Sequence, residues 1–213
     1  MYIIIGASSG IGEKVMETLA NEDDVIAFYN SKKPKIKKKT KKKIEFLKID
    51  LLKKITCINL AAITLDKMLP NISEDDITKV YNINVFSNIL IAKALIKYMI
   101  LQKWGRFIHF TSTKALNGDI GISIYSSSKS SLIGFSNSLA KEYGRYKISS
   151  NIISLGYFNS PLWNRLNENK KTKLLKEVPS LRIGDIKDII KTIKYIKNTE
   201  YLNGANIKLD GGI

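Results

Sequence analysis

The chain has 213 residues, 44% hydrophobic and 25% charged, which suits one compact domain, residues 1–213, with a substantial core. Lys and Arg number 35 against 19 Asp and Glu, a formal charge of +16, while one cysteine and one histidine exclude a disulfide framework and offer no metal-ligand set. Apolar runs such as 1–6 and 88–92 are far shorter than the roughly 18 residues that cross a bilayer. The apolar start runs straight into a glycine-rich turn, so neither a membrane span nor a signal peptide is expected, and the compartment expected is the cytoplasm.

Tyr2 to Ile5 reads as a strand, followed by a turn with glycines at Gly6, Gly10 and Gly12 and an amphipathic stretch to Ala20. Glycines let a backbone approach a pyrophosphate closely, and the helix that follows presents free N–H groups and a positive dipole end. By itself the Gly-x-x-x-Gly-x-Gly spacing is equally that of a plain turn. Val25 to Tyr29 reads as the second strand. Just after it, where an adenosine ribose is met in such folds, stand Asn30, Ser31, Lys32 and Lys33. No carboxylate is there to hold a free 2′-hydroxyl and lysines suit a 2′-phosphate, so NADPH is favoured over NADH. Nine lysines lie between Lys32 and Lys43 and form either a solvated loop or an attractor for a phosphorylated cofactor or an acidic carrier. Nucleic acid is not expected, because no aromatic platform accompanies them.

Ile44 to Ile49 and Ile55 to Ala61 are strand-like; the second of them, the run ITCINLA, makes Cys57 a buried free thiol. A helical stretch from Glu74 to Lys103 contains Asn84. Phe107 to Thr111 is a strand in which His109, between Ile108 and Phe110, is expected to be a core residue. A helix from Ile124 to Tyr146, a strand from Ser149 to Leu155, a loop with helical content to Pro179, a helix from Asp185 to Lys197 and a strand from Asn206 to Leu209 complete the chain. Strands alternating with helices predict a parallel sheet.

Ser112 precedes Tyr125 by thirteen residues, and Tyr125 precedes Lys129 by four. On a helix, residues four apart share a face, so the phenol and the ammonium project into one space, and the cation is expected to lower the phenol pKa. Ser112 reaches the same place from a strand end.

Taken together, IGASSGIG, the Asn59-Leu60-Ala61-Ala62 segment, Asn84, Ser112, Tyr125 with Lys129, and the ending NGANIKLDGG resemble the short-chain dehydrogenase/reductase family over nearly the whole length. Within it, VPSLRIGD and SSLIGFSNSLAKE are most similar to bacterial 3-oxoacyl-acyl-carrier-protein reductases. The resemblance implies a Rossmann-like, doubly wound, mostly parallel α/β sheet flanked by helices. It also implies that Tyr125 donates a proton while NADPH gives hydride to a carbonyl carbon, with Ser112 on the carbonyl oxygen. Lys129 would bind the nicotinamide ribose and Asn84 a proton-relaying water. Cofactor contacts are implied for Gly6, Ser8, Ser9, Gly10, Ile11, Gly12, Asn30, Lys32, Asn59, Ala61, Tyr125, Lys129, Gly156 and Ser160. No metal is implied, and a homodimer or homotetramer is. This chain departs from the pattern at Ile5, Leu155, Ser160, Ala62 and Leu60, and Ser9 stands where many NADPH-dependent relatives carry arginine.

The largest departure is a deletion between the strand ending near Asp50 and the strand beginning near Ile55. A parallel return would span roughly 22 Å at normal strand spacing and rise. The connecting steps reach only about 17 Å. The fold is therefore expected to be shortened around 31–55, with Ile44 to Ile49 antiparallel to Val25 to Tyr29 and 31–43 as a long connection.

Three functions follow. The first is an NADPH-dependent reductase of a 3-oxoacyl thioester on acyl carrier protein, docked at Lys103 and Tyr146 with its neighbours Arg145 and Lys147. The second is a reductase of a small sugar or secondary-metabolite carbonyl, with Phe158, Leu162 and Trp163 forming an apolar rim or oligomer contacts. The third is a dinucleotide-sensing module without turnover.

Overall fold

The computed structural model describes residues 1–8, 10–29, 40–41 and 53–213. Strand β1 (Tyr2–Ile5) is buried at all of its positions because it lies between β2 (Val25–Phe28) and β4 (Ile55–Asn59) with helices on both faces. Side chains alternate across a strand, so an apolar residue is needed at every position rather than at every second one. Tyr2 and Ile4 face α1 (Gly10–Leu19) and α8 (Ile186–Asn198). Ile3 and Ile5 face the layer of α3 (Ser87–Gln102) and α5 (Ser123–Tyr143).

With β3 (Thr40–Lys41), β5 (Gly105–Ser112), β6 (Ile148–Leu155) and β7 (Asn206–Leu209), the sheet has, among the described residues, seven strands in the order β3-β2-β1-β4-β5-β6-β7. Every described pairing is parallel. The order reverses between β1 and β4, and a crevice opens beyond the carboxyl ends of strands at such a switch point. This is the doubly wound arrangement expected. The antiparallel strand expected over 44–49 lies outside the described residues. The lysine-rich stretch, expected to be connection throughout, contributes β3, whose Thr40 and Lys41 pair parallel with Ala27 and Phe28.

The helix expected from Glu74 to Lys103 is two α-helices joined by a wider turn. α2 (Glu74–Tyr81) begins at a capping box: Ser73 Oγ accepts from Asp76 N, and Ser73 N donates to Asp76 Oδ2, both at 3.2 Å. After it, Asn82–Phe86 form a π turn in which Ser87 N donates to Asn82 O, five residues back. By length and composition alone the continuous stretch Glu74–Gln102 could cross a membrane, yet 39% of its most apolar window is buried inside this molecule. One face of it, with Val80, Asn84, Asn88, Ala92, Leu95 and Met99, packs inward. α5 stops at Tyr143, and residues 144–146 of the expected helix are a 3₁₀ turn.

At the amino ends of the strands, charged groups tie distant segments together. Asp23 Oδ2 accepts from Lys197 Nζ at 2.9 Å and from the Met1 ammonium at 3.0 Å. Arg106, 2% exposed, donates to the carbonyls of Gly105, Lys147 and Lys197 at 2.8, 2.9 and 3.3 Å and lies over the Trp104 ring.

Candidate active site

The catalytic residues expected from sequence converge at the carboxyl ends of the central strands. Ser112 ends β5, and Lys114 N, at the start of the short helix α4 (Lys114–Asn117), donates to Ser112 Oγ at 3.2 Å. With one lone pair occupied, the hydroxyl keeps its own proton to donate, and it lies close enough to the Tyr125 phenol to favour its ionised form. Lys129, one turn further along α5, is 3% exposed, and its Nζ donates to Phe110 O at 2.8 Å. Burial brings its pKa down to about 8.

The electrostatic expectation for Tyr125 is corrected. Its pKa is raised, first by burial and then by the negative charge of Asp66, with only the nearby Ser112 hydroxyl pulling the other way. Desolvation disfavours tyrosinate more than the surrounding dipoles favour it. The ammonium expected to tune the phenol is engaged with the Phe110 carbonyl.

Asn84 sits in the π turn, fully buried. Its Oδ1 accepts from Ile63 N at 2.9 Å, and its Nδ2 donates to Ile63 O and Ser128 Oγ, both at 3.0 Å. Ser128 in turn donates to Tyr125 O at 2.7 Å. The amide protons of Asn84 are thus both committed, and the π turn is coupled through Ser128 to the helical turn that carries Tyr125 and Lys129. Sequence reasoning missed Ser128, Asn88 and Lys114. Asn88 is visible in retrospect as an amide inside the apolar run NILIAKAL, four residues after Asn84.

The residues expected to meet the cofactor divide into three sets. Ser9, Asn30 and Lys32 lie outside the described residues. Gly6 has φ +79°, and a Cβ there would come within 2.6 Å of Ala61 N, so the turn after β1 lies flat against the end of β4 only because that residue is glycine. Gly156 is glycine for a similar reason, since its Cβ would stand 2.7 Å from Asp210 Cα. Gly10 and Gly12 open α1, Ser8 is half-buried before them, and Ile11 between them packs against the core. Asn59 Oδ1 accepts from Ala61 N at 3.0 Å and its Nδ2 donates to Ser87 Oγ at 3.4 Å, so this amide is a brace for the strand end. Ser160 Oγ accepts from Trp163 N at 3.2 Å, capping α6 (Pro161–Asn164).

Helix α1's N-terminus and a close-packed glycine turn follow β1 at the switch point, and the buried ammonium of Lys129 reaches Phe110 O near the carboxyl end of β5; this donor set fits a dinucleotide. Of the apolar rim expected from Phe158, Leu162 and Trp163, the Leu162 side chain lies outside what is described, and the other two do not form a rim. Phe158 is 5% exposed in the core against Gly184, and Trp163 is 8% exposed with its ring 5.7 Å from that of Tyr157. Cys57 and His109 are buried as expected, and burial pushes the Cys57 thiol up to about 12.

A family model described as short chain dehydrogenase matches residues 37–171 of this chain. The chain belongs to the short-chain dehydrogenase/reductase family. Membership makes it an NAD(P)-dependent oxidoreductase. Among similar proteins, a 3-oxoacyl-[acyl-carrier-protein] reductase FabG from Buchnera aphidicola is 32% identical over 99% of this chain and 96% of its own length. The bovine 3-oxoacyl-[acyl-carrier-protein] reductase is 32% identical over 73% of this chain and 65% of its own length. The carbonyl reductase family member 4 of Xenopus tropicalis is 29% identical over 99% of this chain and 96% of its own length.

Proposed function

We propose that the whole chain acts as one domain that reduces a carbonyl with NADPH, and that its substrate is a 3-oxoacyl thioester presented by an acyl carrier protein. The observation that carries this reading is the Ser112 hydroxyl beside the Tyr125 phenol at the end of β5, with Lys129 buried one helical turn on and its Nζ on Phe110 O at 2.8 Å.

Gly6, Gly10, Gly12, Lys129 and Gly156 would hold the dinucleotide, which supplies a hydride to the carbonyl carbon. Ser112, whose Oγ already accepts from Lys114 N, donates to the substrate oxygen and draws charge onto it. Donors aimed at that oxygen before the reaction stabilise the developing alkoxide without reorganising. Tyr125, with its raised pKa, is fully protonated near neutral pH and gives its phenolic proton to the alkoxide. Lys129, with a pKa of about 8, is poised to return a proton to the phenolate, and Asn84 fixes the turn that supports both.

The charge of +16 supports the 2′-phosphorylated cofactor and an acidic carrier, with Lys103 exposed and Arg145 stacked on Tyr146 as docking cations. Exposed Phe86, Leu90 and Leu101 on the outer face of α3 and its preceding turn support a homo-oligomer. The name of the Xenopus relative supports a second reading, a small free carbonyl as substrate.

The test is NADPH and NADH oxidation with acetoacetyl thioesters of acyl carrier protein, coenzyme A and N-acetylcysteamine, for wild type and Tyr125→Phe. NADPH turnover that is fastest on the carrier, falls with salt and vanishes in the variant supports the proposal. Equal rates on all three thioesters would move the assignment to the small-carbonyl reading.

A further inference from the structure

A π turn leaves its carbonyls poorly served by the helix that follows, because the backbone ladder slips by one residue. In this chain two side chains take up the two carbonyls at the middle of the turn. Ser87 Oγ donates to Ile83 O at 2.6 Å, and Asn88 Nδ2 donates to Asn84 O at 2.9 Å. Each of these side chains is in turn gripped by a strand. Ser87 Oγ accepts from Asn59 Nδ2 on β4, and Asn88 Oδ1 meets His109 Nδ1 on β5 at 2.9 Å.

The second clamp has a defined proton arrangement. Asn84 O can only accept, so the Asn88 amide must turn its NH₂ toward it and its oxygen toward the imidazole. His109 Nδ1 therefore carries the proton, and Nε2 carries a lone pair that has no partner although the ring is 2% exposed. The ring is wedged between Phe107, stacked at 6.1 Å, and Phe135, edge-on at 5.5 Å. A core position filled by a half-satisfied imidazole is costly where phenylalanine or leucine would pack, and its one satisfied bond is spent on Asn88.

We infer that His109 and Asn88 are a positioning pair for the active site: the imidazole orients the Asn88 amide, the amide pins the Asn84 carbonyl, and the pinned π turn sets the Asn84–Ser128–Tyr125 chain under the proton donor. Both residues act through Asn84 and neither touches substrate. The inference rests on the reductase reading for its kinetic consequence, but its structural consequence is independent of it, because Asn84 also holds Ile63 N–H through Oδ1.

The test compares Asn88→Leu with His109→Leu as a double variant, which removes both polar partners together, and His109→Asn, whose amide can still donate to Asn88. The double variant is expected to melt near the wild-type temperature, to keep KM and NADPH affinity, and to lose roughly a hundredfold in single-turnover rate, the scale of a small misplacement at a reacting centre. His109→Asn is expected to recover all but about threefold of that loss, since the donor is retained. Amide hydrogen exchange, read in the same proteins without any substrate, is expected to speed up at Ile63 and residues 82–88 in the double variant only. Unchanged exchange at those amides, or a single-turnover rate within about twofold of wild type, overturns the inference. Wild-type protein that turns over no carbonyl would overturn the reductase reading while leaving the exchange comparison to decide the pair.

Discussion

The two ends of the sheet are built on opposite principles. At the carboxyl ends, buried Lys129 and His109 and half-buried Tyr125 are held there at a cost: burial holds Lys129 down to about 8 and His109 down to about 4, and pushes Tyr125 up. At the amino ends the buried or half-buried charges are paired. Asp23 is taken down to about 2 because Lys197, the Met1 ammonium and Asp24 N–H outweigh the burial that would raise it, and Arg106, itself lowered by burial, is compensated by three carbonyls, an aromatic face and the charge of Glu200. One end stores unfavourable desolvation for use in chemistry, and the other stitches β5, β6 and α8 together. Function and stability are therefore separable by position, and four measurements can break or sharpen that separation.

The largest effect is expected at Tyr125. Removing the hydroxyl in Tyr125→Phe is expected to lower turnover by roughly 10²–10⁴-fold, the worth of a positioned proton donor. Steady-state NADPH oxidation and a melting curve on the same sample check it, and the melting temperature is expected to hold or rise.

Arg106→Leu is the converse. Three carbonyls lose a charged donor, and the variant is expected to lose about 3 kcal/mol of unfolding free energy in urea. Its folded fraction is expected to keep wild-type turnover; a large fall in kcat would show that the two ends are coupled.

Acid titration separates the ends by pH. The folded protein refuses a proton on His109 until about pH 4, whereas the unfolded chain takes one near 6.5, so stability present above 6.5 is lost as pH falls toward 4. The Asp23 contribution is complete above 3.8 and is lost only as pH falls toward 2. His109→Asn is expected to flatten the first limb, on the order of 3 kcal/mol for its full width, and to leave the second. On the alkaline side the folded protein releases the Lys129 proton near 8 and the unfolded chain near 10.5, so stability rises with pH between them.

The smallest effect is expected from Lys197→Met, about 1 kcal/mol, because the side chain is only partly buried and solvent screens its pairing with Asp23. Loss of the Asp23 acid limb in this variant would tie the two observations together.

Much of the site was legible because its signals are local in sequence. The glycines of the first turn, the Tyr125–Lys129 spacing and Ser112 at a strand end each constrain the backbone within a few residues. What escaped depends on contacts between distant segments. Nothing in the spacing shows that Lys129 Nζ is taken by Phe110 O, so the phenol was expected to shift the wrong way. Phe158 and Trp163 read as a rim because an apolar loop looks the same whether it lines a cleft or folds back over Gly184. The π turn was hidden because a long apolar helix shows its period only as an average.

That turn also governs direction. Val80, Asn84 and Asn88 follow one another at steps of four, and all three are buried. An uninterrupted α-helix advances about 100° per residue, so eight residues overshoot two full revolutions by about 80°. The widened turn absorbs that overshoot. In angular terms it is a phase corrector: Asn88 stays buried against His109 eight residues after buried Val80, and beyond it Ala92, Leu95 and Met99 resume the ordinary three-and-four rhythm. Shortening the turn by one residue would leave the helix intact and aim every side chain after it along the wrong bearing.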